Sequence, residues 1–372
     1  MKKRSIVTIG IVVVIVILGI VLFIKLFYWP DEPTSTPPIV DANGNPVSSS
    51  IASLEAIELN GIEQWVLIRG YDISKPMILF LHGGPGGAHM VWRELFITEE
   101  LEKNFVVVVW DQRGSGKSFS KDLTEEEMRT DKFVDDTIAL TNHLRARFNQ
   151  DKIFLLGHSW GSALGFLTFM KHPEYPQLYH AYIAAGEAAD WNRRQNISYE
   201  WTLARARDNN NEKAVSTLEK LKPFDTVDAK HLVVKNRWLS EFGGEYNLKN
   251  KDLSQKYEEY LIQGQGLEYS RADAKKWMQG HELSVKTVGV EAAKSGYNLF
   301  RDLPEIRIPL FFFTGRYDYQ TPGSLAEEYY KFVKAPKKGF IWFEESAHFL
   351  IFEEPDKLTR ELIQIAEKTL NN

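Results

Sequence analysis

Apolar and polar side chains alternate along residues 54–59 (LEAIEL) and 64–69 (QWVLIR), predicting two half-buried strands that turn at Asn60-Gly61. The pattern then changes. Residues 77–81 and 105–110 are short, unbroken apolar runs, as expected for strands covered on both faces. Helical spacing follows over 133–148, and residues 153–157 (IFLLG) predict another strand. The stretch SALGFLTFM, from Ser162, reads as a buried helix, and residues 182–185, 310–313 and 340–343 are three further strand candidates. Strands alternating with helices imply an α/β fold with a doubly wound, mostly parallel sheet. Residues 190–303 break this rhythm: they are rich in Trp, Lys, Glu and Asn, offer no good strand, and predict an inserted helical cap.

The first residues follow a different rule. Residues 5–24 carry no charge and are flanked by Lys2-Lys3-Arg4 and Lys25. Twenty residues at about 1.5 Å each span roughly 30 Å, the thickness of a bilayer's hydrocarbon core. The expectation is one N-terminal transmembrane helix, with its leading positive charges in the cytoplasm and the rest of the chain outside. A cleaved export signal is the rival reading, but a short apolar region and a small-x-small cleavage site are not evident. Tyr28, Trp29 and Pro30 fit an interfacial belt, and the Pro-, Ser-, Asn- and Gly-rich stretch after them predicts a tether. The chain thus divides into a membrane anchor (1–27), a flexible linker (28–50), an α/β core (51–189 and 304–372) and a helical cap (190–303).

Composition narrows the chemistry. Of 372 residues, 44% are hydrophobic and 26% charged, which is ordinary for a globular protein. A formal net charge of −5 gives no electrostatic reason to expect a nucleic-acid partner. No cysteine is present, which excludes disulfides, thiolate nucleophiles and cysteine-held zinc.

The strand at 153–157 stops at Gly157-His158-Ser159-Trp160-Gly161, a G-x-S-x-G turn. Such a turn lifts a serine above the carboxyl end of a parallel sheet, and its glycines avoid collision with the adjoining strand and helix. A serine hydroxyl needs a base, and the base needs an orienting acid, in the chain order Ser, Asp or Glu, His. Asp318, just past the strand at 310–313, and His348, just past the strand at 340–343, supply that order; Glu345 is the substitute acid. An oxyanion requires preplaced N–H donors. Trp160, next after the serine, offers one, and the loop LHGGPGGAHM offers the other, with Gly84 first and Gly83 next.

Two other motifs fail. GSGKS at 114–118 lacks the first glycine of a phosphate loop, because position 111 is Asp111; HELSV at 281–285 has Val285 where a second zinc-binding histidine belongs. No metal or cofactor is expected. The sequon Asn196-Ile197-Ser198 is a common accidental match and carries little weight.

Three motifs coincide: His82-Gly83-Gly84-Pro85-Gly86, the run from Asp111 through Arg113 to Ser118, and the serine turn. Together they resemble the proline iminopeptidase family of α/β-hydrolases, over residues 54–188 and 305–372. The resemblance implies an α/β-hydrolase fold with a helical cap, Ser159 as nucleophile, Asp318 as acid and His348 as base. It also implies that Asp111 and Arg113 brace the oxyanion loop, a surface ion pair being the alternative. One departure stands out. That family binds a substrate amine through cap glutamates, one of them in a Gly-Pro-x-Glu-Phe stretch, and residues 190–303 hold no such stretch. Glu187, Glu200, Glu241 and Glu245 are the candidate replacements, with ordinary solvated glutamates as the alternative. Trp191, Trp201, Trp238 and Trp277 would roof the site or pack cap helices together. The expectation is a membrane-anchored serine hydrolase that cleaves an ester or amide of a small molecule or short peptide. A carboxylesterase without peptidase activity and a non-catalytic surface-binding module are the alternatives.

Overall fold

The computed structural model describes residues 35–263 and 267–371. The expected membrane segment within 1–27 lies outside the described residues, among which no helix is long and apolar enough to cross a membrane.

Eight strands form one sheet: β1 (Ile51–Leu59), β2 (Ile62–Gly70), β3 (Met77–Leu81), β4 (Val106–Trp110), β5 (Ile153–His158), β6 (Tyr179–Ala185), β7 (Leu310–Gly315) and β8 (Lys338–Phe343). Their order is β1-β2-β4-β3-β5-β6-β7-β8. The pairs β1–β2 and β2–β4 are antiparallel, and the remaining pairs are parallel. Leu59 pairs with Ile62 across the first turn, where Asn60 (φ 48°) and Gly61 (φ 81°) both adopt the left-handed conformation that a two-residue hairpin demands.

The unbroken apolar runs are explained by burial on both faces. Side chains alternate across the sheet, so Met77, Leu79, Leu81, Val106, Val108 and Leu155 enter one core. Ile78, Phe80, Val107, Val109, Phe154 and Leu156 enter the other. The helices α1 (Thr130–Phe148) and α2 (Trp160–Lys171) pack into the first core through Phe133, Leu140, Leu144, Leu164 and Phe166. The C-terminal helix Pro355–Leu370 closes the second with Leu358, Leu362 and Ile365.

Several boundaries differ from the sequence pattern. β6 starts at Tyr179, since His180 interrupts the apolar run and the register against β5 shifts at Ile153/Phe154. β8 starts at Lys338 because it is an edge strand, only partly buried along most of its length. α1 gains a polar first turn, Thr130-Asp131-Lys132, ahead of its apolar stripe.

The flexible linker requires a larger correction. Residues 35–50 are docked on the domain: Thr36 accepts from Arg69 at 2.7 Å and donates to Glu268 at 2.8 Å, and Pro37 O accepts from Arg69 at 2.6 Å. Ile39 is buried and Val40 bridges to Pro46. Its polar composition suggests a free tether, but the buried side chains Arg69 and Glu268 hold Thr36 and Pro37.

Between β6 and β7 the described residues form helices and no strand, including α3 (Trp191–Asp208), α4 (Ala229–Glu241) and α5 (Arg271–Ser284). Part of this region has its own small core of Tyr199, Leu203, Leu218 and Trp238. The excursion leaves and returns at one place: Trp191 N donates to Tyr297 O at 2.9 Å and Leu299 N to Ala189 O at 2.8 Å.

Candidate active site

Ser159 occupies the turn between β5 and α2 with φ 56° and ψ −116°. A non-glycine residue held at positive φ costs about 1–3 kcal/mol and persists only where its surroundings enforce it. The neighbours do so. A Cβ at Gly157 would run into the Gly161 carbonyl, and one at Gly161 into the Leu81 carbonyl at the end of β3. The turn is therefore packed tightly against both its own helix and the next strand.

Asp318 follows β7, and its carboxylate is fully engaged. Oδ1 accepts from Thr321 N at 2.7 Å; Oδ2 accepts from Thr321 Oγ1 at 2.7 Å and from His348 Nδ1 at 2.9 Å. With Nδ1–H directed at Asp318, the other ring nitrogen carries the lone pair. His348 Nε2 accepts from Ser159 Oγ at 2.8 Å. The main chain of His348 is fixed as well: its N–H donates to Glu245 O at 3.0 Å and its carbonyl accepts from His158 Nε2 at 2.8 Å. The geometry brings Ser159, His348 and Asp318 together in one chain of hydrogen bonds. Glu345 is not part of it; it is exposed and pairs with Lys249 at 3.4 Å.

The glycine loop after β3 lies across the serine. A Cβ on Gly83 would stand 3.1 Å from Ser159 Cβ and 3.2 Å from His158 O, tighter than an ordinary contact. Gly83 N donates to His89 Nε2 at 3.4 Å. The N–H groups of Gly84 and Trp160 have no partner among the described residues, and both residues line the cavity beside Ser159 together with Pro85. They are the free donors there.

Gln112, rather than Asp111 or Arg113, braces this loop. Its N–H donates to His82 Nε2 at 3.1 Å and its Nε2 to His82 O at 3.1 Å, while its Oε1 accepts from Trp160 Nε1 at 3.1 Å. One side chain thus ties the glycine loop to the serine turn. Among the described residues, Asp111 and Arg113 make no hydrogen bond to residues 82–86; they fix the loop that carries Gln112. Arg113 forms a two-point ion pair with Asp136, at 2.8 Å on each arm. Asp111 accepts from Lys117 N at 2.9 Å and from the Tyr269 hydroxyl. Both are buried, which also excludes a surface ion pair.

Buried imidazoles support the same region. His82 donates through Nδ1 to Gly83 O at 2.8 Å, and the Gln112 N–H directed at its Nε2 leaves no place for a second proton. Burial holds His82 down to about 4 and His158 to about 3, and keeps His89 well below the usual imidazole range. Burial raises Asp111 to about 7, against the opposing bonds from Tyr269 and Lys117. Gln112, Thr321 and His89 carry no motif of their own; the signal available for Gln112 was its place between two residues already singled out.

A cavity of about 670 Å³ opens beside Ser159. Of the four tryptophans, only Trp191 lines it. Trp201 stacks on Tyr319 at 4.1 Å, Trp238 sits in the small helical core, and Trp277 donates to Ala88 O and packs against Trp92. None of the four candidate glutamates lines the cavity. Glu187 is buried and taken by Ser162, Ala189 and Tyr297; Glu245 is taken by Ser240; Glu200 and Glu241 are exposed. The carboxylates that do line it are Asp131 and Glu291, and Glu291 accepts from Thr130 N at 2.8 Å. Nothing in their sequence neighbourhoods marks them. Among the described residues, no cluster of ligating side chains could hold a metal.

Comparison with known proteins bears on the family and the fold. A family model described as serine aminopeptidase, S33, matches residues 73–355. The chain is 30% identical over 330 residues to a probable aminopeptidase, YbaC, of Bacillus subtilis, covering 87% of this chain and 99% of that one. It is 25% identical over 287 residues to a proline iminopeptidase of Heyndrickxia coagulans, covering 75% and 86%. In fold it resembles the crystal structure of a Mycobacterium smegmatis proline iminopeptidase, with a TM-score of 0.61 at 17% identity over 86% of this chain and 99% of that one.

Proposed function

The chain belongs to the serine aminopeptidase S33 family of α/β-hydrolases and is a hydrolase; from that premise we propose that it cleaves an ester or amide through an acyl-enzyme on Ser159. The observation that carries this reading is the hydrogen-bonded chain from Ser159 Oγ through His348 to Asp318. As Oγ attacks the substrate carbonyl, His348 Nε2 takes its proton, and the ionised Asp318 stabilises the imidazolium. The oxyanion meets the N–H groups of Trp160 and Gly84. His348 then gives its proton to the departing amine or alcohol as the C–N or C–O bond breaks. A water, deprotonated by the same imidazole, then attacks the acyl carbonyl, and the imidazolium returns that proton to Ser159 Oγ as the acyl C–O bond breaks and the acid leaves.

Aminopeptidase chemistry is the first reading, with Asp131 and Glu291 as the carboxylates available to a substrate amine. A carboxylesterase is the second, favoured by one observation: none of Glu187, Glu200, Glu241 and Glu245 reaches the cavity. We further propose that residues 1–27 anchor the domain to the cell membrane with the catalytic part extracytoplasmic.

The test has two stages. A fluorophosphonate probe should label the wild type and fail to label Ser159→Ala; a folded wild type that takes no label sinks the reading. Hydrolysis of proline arylamides and of short-chain aryl esters then separates the two activities, since turnover of esters alone removes the peptidase.

A further inference from the structure

The wall of the cavity holds a cation that forms no ion pair among the described residues. Arg194 stands in the first turn of α3, beside the loop that follows Asp318. Its main-chain N donates to Asp190 O at 2.9 Å, its Nε donates to Gln320 O at 2.8 Å, and its guanidinium lies over the Trp191 ring at 4.9 Å. These contacts fix its stem and orientation. Its two terminal nitrogens have no partner among the described residues, and Arg194 lines the cavity.

Comparison within the molecule shows how unusual this is. Arg194 is half-buried, and the three arginines that are fully buried among the described residues each meet a carboxylate: Arg69 with Glu102 at 2.6 Å, Arg93 with Glu268 at 2.9 Å and Arg113 with Asp136 at 2.8 Å. Arg194 forms no ion pair among the described residues. The acids nearest in effect are already committed: Asp318 to His348 and Thr321, and Glu187 to Ser162, Ala189 and Tyr297. Lys235 on α4 supplies no counter-charge either: its Nζ donates to Ser198 Oγ at 3.0 Å, and burial, with the charge of Arg194 second, holds its ammonium well below the usual range. Burial likewise pushes the Arg194 guanidinium down to about 10, with Asp318 and Glu187 offsetting this only in part.

Two uncommitted amides share the same cavity. Gln195, 2% exposed, and Asn236 both line it, and Gln195 Oε1 and Asn236 Oδ1 have no partner. Turning either amide presents N–H donors to the cavity. A half-buried guanidinium with a free edge, flanked by such amides, is matched by a planar anion that accepts two bonds at once.

We propose that Arg194 determines specificity by receiving a substrate carboxylate on its free guanidinium edge, so that this hydrolase prefers small substrates carrying a carboxylate near the bond it cleaves. The inference rests on the serine-hydrolase reading of the same cavity. It accounts for what amine recognition leaves unexplained, a positive wall beside the reacting serine. The carboxylate belongs either to the acyl part or to the leaving part of the substrate.

Two matched substrate pairs distinguish these sources. para-Nitrophenyl hemisuccinate against para-nitrophenyl pentanoate places the charge on the acyl side; a prolyl-alanine dipeptide against its C-terminal amide places it on the leaving side. In one pair the charged member should have a kcat/KM about ten- to a hundredfold higher, as expected for a charge-assisted two-point contact. Arg194→Met should bring that ratio to near one, mainly through KM, and Arg194→Lys should retain part of it. A merely structural Arg194, one that only holds Gln320, would change both members alike and leave the ratio intact. Ratios near one in both pairs, or a ratio untouched by Arg194→Met, overturn the inference. Ser159→Ala provides a second measurement that needs no turnover: it should bind the charged member of the preferred pair more tightly than the neutral one, and equal binding overturns the inference. Fluorophosphonate labelling of the wild type reports separately on the nucleophile.

Discussion

Replacing Gln112 by alanine removes two side-chain hydrogen bonds, to His82 O and from Trp160 Nε1, each 3.1 Å long. Both abandoned partners are buried. An orphaned buried donor or acceptor costs about 1–3 kcal/mol, so the expected loss of stability for two is about 2–6 kcal/mol, the upper end falling if water enters the void. The functional effect is separate. The same two bonds connect the glycine loop, which carries the free Gly84 N–H, to the helix that carries the free Trp160 N–H. Releasing them lets the two donors drift relative to Ser159, and misplacing an oxyanion donor costs about ten- to a hundredfold in rate. Fluorophosphonate labelling reads this without a known substrate, because the probe's phosphoryl oxygen occupies the same donors. Urea unfolding and labelling rate should therefore fall together in Gln112→Ala. An unchanged urea midpoint with labelling within twofold of wild type would refute the brace and leave His89 and the main chain to hold the loop.

Arg113→Met should cost about 3–5 kcal/mol in urea unfolding, since it leaves Asp136 buried with only the amides of Asn60 and Gln64; a loss below about 1 kcal/mol would contradict this role. The buried titratable groups predict an acid response of definite sign. His82 and His158 have folded values of about 4 and about 3, below the 6.5 of a free imidazole. The unfolded chain therefore binds more protons from pH 6.5 downward, and stability falls by about 1.4 kcal/mol per pH unit for each histidine. Asp111, raised to about 7, takes up its proton in the folded state and opposes that loss over the same window. Asp111→Asn should accordingly lose stability more steeply than wild type between pH 6.5 and 4.5, by about one proton's worth; equal slopes would overturn the assignment.

The serine turn was readable because its constraints are local. Gly157, Ser159 and Gly161 lie within five residues, and the collisions that forbid side chains at the two glycines occur between that strand, its helix and the adjoining β3. Strand positions were readable for a similar reason, since burial on both faces leaves an unbroken apolar run. Residues 35–50 misled, because polar composition says nothing about whether a partner such as Arg69 or Glu268 will satisfy it. The candidate glutamates misled likewise: Glu187 is acidic and near the site, yet its oxygens are consumed by Ser162, Ala189 and Tyr297.

By itself, the order of residues determined the sheet's class, the reactive turn and the three side chains that could act there, since each depends on hydrophobic periodicity or on steric demands between near neighbours. Only the tertiary structure decided that Gln112 ties the glycine loop to the serine turn, that Thr321 supports Asp318, and that Arg194 lines the cavity with no ion pair among the described residues. Those facts depend on which polar groups remain unpaired after folding. That balance is struck between segments up to hundreds of residues apart and leaves no periodic trace along the chain.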